Sequence, residues 1–476
     1  MKRITITMIL LILFLDNVNA QINFTLADPQ PDLNDVYGGS FASGDIDNDG
    51  DQDLLMTGLG PGVEAGTALY LNDGNGDFAE VTNTPFPEAR ISVTEFIDLD
   101  ADGDLDLYFS GIAFDAVQEF THIYLNDGTG SFTQLSNPLL PEFQGSGAAI
   151  EDVDDDGDLD IMISAIDAND DFVADVYLND GNANFTPAGS TAFIPVKFAS
   201  VAFLDSENDG DADIIISGVQ SNDVSLTALY LNDGAGNYSL DPNTNFEQLS
   251  ADDVDVADTD NDGDLDILMS GMNDANNVRT ILYVNDGSGQ FTELSTGMQD
   301  TFAGSNAIAD FDNDGDQDIV IIGSQDGGLP NIFNIVYENL GNNEFIEVDV
   351  IGGEYIANNV VDDFNGDGLS DIIILGFADG TNAYWNTGEN LGTTDFSNSQ
   401  TITMFPNPAN DIVNISSDKD KLQRIELYSM TGSLIFKADL NSKNYALNVS
   451  NYPIGTYLLR VFNQNNGTLN TKIIKK

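Results

Sequence analysis

Asp45-Ile46-Asp47-Asn48-Asp49-Gly50-Asp51-Gln52-Asp53 decides how this chain is read. Acidic side chains stand at positions 1, 3, 5, 7 and 9 of the stretch, with glycine at position 6. Folding such a loop crowds like charges within a few Å unless a cation lies among them. Six counterparts follow. Their odd positions are Asp98, Asp100, Asp102, Asp104, Asp106; Asp152, Asp154, Asp156, Asp158, Asp160; and Asp205, Glu207, Asp209, Asp211, Asp213. Then come Asp258, Asp260, Asp262, Asp264, Asp266; Asp310, Asp312, Asp314, Asp316, Asp318; and Asp363, Asn365, Asp367, Leu369, Asp371. Successive loops begin 53, 54, 53, 53, 52 and 53 residues apart. A near-constant step of that size defines a repeat protein before any other feature is considered.

Between loops the same parts recur. In the first repeat the small residues Ser40 to Gly44 lead into the loop, and Leu54-Leu55-Met56 follows it. Ala68 to Leu71 reads as a further strand, and Asn72 to Gly76 is a glycine-rich reversal of hairpin type. Another strand starts at Phe78. A Tyr-x-Asn-x-Gly pattern marks every reversal, at Tyr70, Tyr124, Tyr177, Tyr230, Tyr283, Tyr337 and Tyr384. Helical periodicity is absent, so about four short strands per period predict a propeller blade or a solenoid coil. Two features favour a closed ring of seven. Asn23 to Leu26 resembles the strand that follows each reversal but has no reversal before it. The seventh reversal, at Asn386 to Gly388, lacks a clear partner strand after it. The N-terminal strand can therefore complete the last sheet and remove the free edges.

Charge and composition narrow the function. The 476-residue chain has a formal net charge of −66 and 41% hydrophobic residues, so cores can form beneath an acidic surface. Such a surface repels nucleic acid and anionic lipid. With no cysteine there are no disulfides, zinc–thiolate sites or thiol catalysis. Only Arg90, Lys197 and Arg279 are basic between residues 21 and 400, whereas residues 402–476 carry nine Lys/Arg against five Asp/Glu. That switch predicts a domain boundary near residue 400. Lys2 and Arg3, the apolar run Ile4 to Leu15 and the small-residue site Val18-Asn19-Ala20 predict a signal peptide over residues 1–20. The expected organisation is thus 21–395 as the repeat domain, 396–401 as a linker and 402–476 as a C-terminal domain, with no transmembrane segment after cleavage.

The acidic loops are read as calcium sites. Calcium takes six to eight oxygen ligands in a flexible arrangement, and side chains at positions 1, 3 and 5 converge only if the chain turns sharply at glycine. Position 7 is expected to act through its backbone carbonyl, consistent with Leu369 standing there in the seventh loop. An EF-hand needs a bidentate glutamate at position 12. Here position 12 is Met56, Phe109, Ile163, Ile216, Met269, Ile321 or Ile374, apolar every time, so position 9 must close the site. Glu207 lengthens the fourth loop's ligand, and Asn365 removes a charge from the seventh. Up to seven structural calcium ions are expected, the seventh held more weakly.

These D-x-D-x-D-G-x-x-D loops and Y-x-N-x-G turns resemble the FG-GAP/VCBS repeats of integrin-α-type propellers over about residues 22–395. The resemblance implies an all-β, seven-bladed propeller with calcium in its hairpin loops, and no single activity. Residues 402–476 read as a small Ig-like β-sandwich, with Phe405-Pro406-Asn407-Pro408-Ala409-Asn410-Asp411, Thr431-Gly432 and Ile454-Gly455-Thr456-Tyr457 at its turns. Those motifs resemble the type A sorting domain of type IX secretion, which implies delivery to the cell surface or medium by that machinery.

Catalytic equipment is sparse. The single histidine, His122, falls in an expected strand, where a structural role is favoured, and no G-x-S-x-G nucleophile motif occurs. Trp385 takes the place of Leu71 and reads as packing. The expectation is a secreted or surface-bound, non-catalytic module for adhesion or ligand binding, with an extracellular glycan or protein as ligand. Its contacts would come from the variable loops 59–66, 112–121 and 324–334. The alternatives are a polysaccharide lyase or hydrolase, or its accessory subunit, and a structural surface-layer protein.

Overall fold

A computed structural model describes residues 22–388 and 402–476, less short segments at 63–64, 115–117, 137–139, 144–146, 168, 190–191, 244, 327, 406–411, 418–420, 430–433, 451, 453–454 and 464–467. The expected signal peptide and linker lie outside the described residues, as do parts of the C-terminal turn motifs and of the three variable loops. Two compact units divide the chain, Met1–Asn390 and Leu391–Lys476. Every element among the described residues is a β-strand.

The first unit contains seven four-stranded antiparallel sheets, and six of them are built from consecutive strands. Sheet one comprises Phe41–Gly44, Asp53–Leu59, Ala65–Asn72 and Phe78–Glu80, in that order. The acidic loop joins its first and second strands, and the Tyr-x-Asn reversal joins its third and fourth. Position 9 always opens the second strand, as Asp53 does opposite Gly44 and Asp371 does opposite Asp362. Position 12 is buried in that strand in every sheet, which explains its apolar identity.

Sheet seven differs in origin. Its strands Asn358–Asp362, Asp371–Leu375 and Asn382–Asn386 come from the end of the unit. The fourth is the N-terminal strand Phe24–Leu26, with Phe24 opposite Asn386 and Leu26 opposite Tyr384. The pairing expected from the sequence is therefore present. Asn23 adds bonds from the flank, its Nδ2 to Thr387 Oγ1 at 2.6 Å and its carbonyl accepting the Thr387 N–H at 2.7 Å and hydroxyl at 3.0 Å. Phe24 is buried and meets Phe311 of sheet six edge-on, with centroids 5.2 Å apart.

First strands pack in succession. Phe41–Gly44 lies beside Ala89–Ile97, and Gly147–Glu151 lies beside Lys197–Leu204. Leu249–Ala257, Asn306–Ala309 and Asn358–Asp362 continue the series, and the last returns to Phe41–Gly44. Their faces pack into hydrophobic clusters shared by neighbouring sheets, such as Ala42 and Leu55 with Phe96 and Leu107. The alternation of small and apolar residues on these strands follows from that sandwiching.

The approach to the first strand departs from ordinary strand geometry. In five of the sheets the residue seven places before the acidic loop has positive φ: Gly38 (60°), Ile91 (49°), Phe198 (50°), Ala303 (56°) and Ile356 (49°). Backbone bonds run between several of them, Ile356 N to Ala303 O at 2.7 Å, Gly38 N to Ile356 O at 3.2 Å and Ile91 N to Gly38 O at 3.4 Å. The inter-sheet bond imposes the left-handed turn, at a cost of about 1–3 kcal/mol for the non-glycine residues. Ile91, Phe198 and Ile356 are exposed here, at 44%, 66% and 42%.

The second unit has two antiparallel sheets over one core. Ile402–Phe405, Ile412–Ser417 and Asn444–Asn448 form one, and Leu434–Ser442, Leu422–Ser429, Gly455–Asn463 and Thr468–Lys475 form the other. Val413, Ile415 and Leu447 from the first meet Ile425, Leu427, Leu459 and Val461 from the second.

Removing the Phe24 side chain tests the pairing of the N-terminal strand. Phe24→Ala is expected to destabilise the first unit by about 3–5 kcal/mol, as for other buried phenylalanines. Denaturant unfolding measures this, and a loss below about 1 kcal/mol would mean that the N-terminal strand is not needed for stability.

Candidate metal centres

Each acidic loop is shaped first by hydrogen bonds to its own backbone. In loop one the position 1 carboxylate accepts from Asp49 N and Gly50 N, both at 3.0 Å. Position 5 accepts from position 7, Asp51 N to Asp49 Oδ1 at 3.1 Å. Both patterns recur in the other six loops. Gly50 sits at φ 97° and Gly103 at φ 97°, conformations that a side chain would strain. Position 4 is also left-handed, and glycine is not required there: Asn48, Ala101, Asp155, Asn208, Asn261 and Asn313 hold φ between 55° and 61°, and the seventh loop uses Gly366.

Position 9 ties the loop to the reversal. Asp53 Oδ1 accepts the Asn72 N–H at 2.9 Å, and its Oδ2 accepts the Ile46 N–H at 3.1 Å. The first bond is present in all seven sheets, the second in the first six. Ser206 and Thr259 add a hydroxyl bond to Asp213 and Asp266. The reversal asparagine then joins neighbouring repeats. Asn126 Nδ2 donates to Leu105 O of its own loop at 3.1 Å and to Ile46 O of the preceding loop at 2.8 Å. Asn72 closes the series by donating to Phe364 O of the seventh loop at 2.8 Å.

Carboxyl oxygens converge on one point in five loops. Positions 1, 3 and 9 bring oxygens within 4.8 Å of one another in Asp45/Asp47/Asp53, Asp98/Asp100/Asp106, Asp152/Asp154/Asp160 and Asp310/Asp312/Asp318. In the fifth loop the converging set is Asp258, Asp260 and Asp262, positions 1, 3 and 5. These sets can hold a metal ion. The fourth loop, with Glu207, and the seventh, with Asn365, form no such three-acid set among the described residues. Glu207 lies against the next reversal, its Cγ 3.3 Å from where a Cβ on Gly289 would stand.

Position 7 goes elsewhere. The Asp51 carboxylate lies against Gly74, and Asp104, Asp158, Asp211, Asp264 and Asp316 lie against the matching glycines of their reversals. Three of them also accept from position 4 of the preceding loop: Asn48 donates to Asp104 at 2.9 Å, Asn208 to Asp264 and Asn261 to Asp316. Position 7 thus links loops through its side chain. Leu369 leaves the seventh loop without this acceptor, and Asn313 donates to Gly368 O there instead.

The donors fit a hard cation. Buried oxygens of Asp47, Asp100, Asp154, Asp260 and Asp312, all at position 3, have no hydrogen-bond partner, and neither has Asp371 Oδ2 in the seventh loop. A buried carboxylate oxygen left bare is costly unless something electropositive meets it. Burial, followed by repulsion from positions 5 and 1, raises Asp47, Asp100 and Asp154, and takes Asp312 to about 7. At position 9 burial outweighs the backbone donors, pushing Asp53 to about 7, Asp318 to about 8 and Asp371 to about 8. All donors are oxygen, the set that calcium prefers.

Two patterns of the sequence match known protein families. An FG-GAP-like repeat matches residues 45–109 and 152–216, and a secretion system C-terminal sorting domain matches residues 403–476. The chain carries FG-GAP-like repeats and a type IX sorting domain. Each FG-GAP-like match runs from position 1 of one loop to position 12 of the next, so the two matches cover the first four loops. The sorting domain marks the protein for secretion to the cell surface or extracellular space through the type IX machinery. No helix among the described residues is long and apolar enough to cross a membrane. No curated protein matches the sequence.

Solved structures with similar backbones include a mutant of the Aleuria aurantia lectin in complex with alpha-methyl-L-fucoside, at 9% identity and TM-score 0.39, covering 67% of this chain and 97% of the lectin. AofleA from Arthrobotrys oligospora aligns at 11% identity and TM-score 0.39, over 75% of this chain and 94% of its own. Fructan 1-exohydrolase IIa from Cichorium intybus aligns at 9% and 0.32, over 96% and 92%. Likeness at this level says nothing about what the FG-GAP-like repeats do here.

His122 and Trp385 are accounted for by their surroundings. His122 lies between the Phe120 and Tyr124 rings, 3.1 Å from Tyr124 Oη, and burial lowers its pKa. Trp385 packs against Gly76 and the core shared by sheets one and seven.

Metal removal has a pH signature. A carboxyl raised in the folded state favours folding below its unfolded pKa, and that contribution is lost as pH rises through the folded value. Chelated protein is therefore expected to melt progressively lower between pH 4 and 8, through the values of Asp53, Asp312, Asp318 and Asp371. Saturating calcium removes this decline, because the ion balances the ionised groups. Thermal melts with chelator and with calcium check both, and curves that coincide at pH 8 would contradict metal binding.

Proposed function

We propose that the seven sheets are the blades of one seven-bladed β-propeller and that the acidic loops bind up to seven structural calcium ions. On this reading the protein is a non-catalytic adhesion or ligand-binding module at the cell surface, and its ligand is an extracellular glycan. The C-terminal unit is read as an Ig-like sandwich serving export.

One observation carries the reading: the two ends of the sheets are used differently. Acidic loops and reversals occupy one end and bind to each other across the repeats. Strand direction places the described parts of loops 59–66, 112–121 and 324–334 at the opposite end, together with the exposed Ile91, Phe198 and Ile356. An opening of about 480 Å³, lined by first-strand residues that include Phe41, Glu95, Ala148, Ser200 and Val254, is also bordered by Ile91 and Phe198. Exposed apolar groups beside carboxylates and hydroxyls suit a sugar, which offers both C–H faces and hydroxyls. Phe198 is the strongest anchor, being aromatic, 66% exposed and held in a strained turn.

A glycan array with the purified, calcium-loaded protein tests this. Phe198→Ala is expected to lower glycan affinity at least about tenfold while leaving the melting temperature within about 2 °C, since the ring is largely exposed. Undiminished binding by the variant would move the ligand away from this end. Turnover of a polysaccharide by the wild type would replace the binding reading with an enzymatic one.

A further inference from the structure

The first strand of sheet five carries two carboxylates that the repeat does not require. Three residues before the acidic loop, the seven sheets have Ala42, Glu95, Ala149, Ala202, Asp255, Ala307 and Val360. Five residues before it, sheets one, four and six have serine, whereas sheet five has Asp253. The serine has a defined role. Ser40 Oγ accepts Thr94 N at 3.1 Å, and Ser200 Oγ accepts Val254 N at 3.0 Å, each bond joining one sheet to the next. Asp253 Oδ2 makes the same bond to Asn306 N at 2.8 Å. A hydroxyl suffices for this brace, so the charge on Asp253 is surplus to the fold, and the alanines elsewhere make Asp255 surplus as well.

The environment of these groups points to a ligand. Residues two apart on a strand share a face, so Asp253 and Asp255 both face sheet six. Asn306 of sheet six is 3% exposed, and neither its Oδ1 nor its Nδ2 has a hydrogen-bond partner. Its amide approaches the Asp255 carboxyl, yet Asp255 Oδ2 is buried without a partner too. Asn359 bonds Asn306 O at 2.6 Å and Ser305 Oγ at 2.8 Å, which fixes this wall. All of these except Ser305 border an opening of about 310 Å³, and neither Lys nor Arg is among the described residues that line it. Burial raises Asp253 to about 6 and, with the charge of Asp253 beside it, raises Asp255 further.

We propose that Asp253, Asp255 and the side-chain carbonyl of Asn306 form a binding site for a calcium-sized hard cation between sheets five and six, separate from the acidic loops. The oxygen donors match such an ion, and the opening leaves room for the waters that complete six to eight ligands. No loop residue takes part, so the site stands or falls independently of the loop sites. Sheets one, four and six have alanine and serine at these places and so carry no charge there. Sheet five alone has both carboxylates.

Crystals of the full-length protein grown in calcium chloride, with anomalous data, test the site. The expected result is a calcium peak about 2.3–2.6 Å from Asp255 Oδ2. It should vanish in Asp255→Ala, and bound calcium counted by elemental analysis should fall by one ion per chain. Alanine stands at this position in four other repeats, so the variant is expected to fold, and its far-UV circular dichroism and melt in chelator verify that. A water molecule or no density beside Asp255 overturns the proposal, including the case where the pair shares a proton. Filled loops with an empty wall overturn this site alone, and a filled wall with empty loops overturns the loop reading alone.

Discussion

Asp53 and five of its six counterparts each hold the chain in two places at once. One oxygen fixes the reversal asparagine, and in six loops the other fixes position 2 of the acidic loop. In four loops the same carboxylate stands next to positions 1 and 3, and in loop one the charges of Asp47 and Asp49 oppose its ionisation. The brace is strongest when Asp53 is ionised, but ionisation without a counter-charge is opposed by burial. A cation bound there would resolve the conflict by making the charged form of the brace the favourable one. Binding free energy at a filled loop would then be folding free energy for the sheet behind it.

From that brace the connection between repeats follows. The fixed reversal presents its asparagine side chain to two carbonyls, one in its own loop and one in the preceding loop. Each bond contributes about 1 kcal/mol net, and a bare buried carbonyl costs about 1–3 kcal/mol. Position 7 and position 4 add a further strap between successive loops. At the opposite end a chain of backbone bonds runs through Gly38, Ile91, Ala303 and Ile356, and it strains the residues it uses. One end is thus braced by charge, and the other is left to loops and exposed apolar groups.

Much of this is legible in the sequence because it is local. The loop spacing, the glycine at position 6 and the Tyr-x-Asn-x-Gly reversal are each defined within a few residues. They suffice for four strands per repeat and for the closing strand Phe24–Leu26. What the sequence does not reveal depends on neighbours some 50 residues away. Position 7 is read as acting through its backbone carbonyl, which leaves its side chain unassigned; in Asp104 that carboxylate accepts from Asn48 of the preceding loop. The left-handed residues at position 4 have a signal, in that Asn or Asp fills five of the seven places, but the spacing alone points only to the turn at position 6. The strained Ile91 and Ile356 have no local signal, since each is held by a backbone bond to a neighbouring sheet. Asp253 and Asp255 are hidden among 80 acidic residues and stand out only once the repeats are aligned on their strands.

If cations hold one end of every sheet together, their removal must loosen that end first. Amide hydrogen exchange of the intact protein, with calcium and after chelation, reads this residue by residue. The amides of Asp49, Gly50, Asn72 and their counterparts are expected to lose protection about a hundredfold or more on chelation, in most or all of the seven repeats. Protection at these amides that does not change when calcium is removed would contradict the bracing of the sheets by metal.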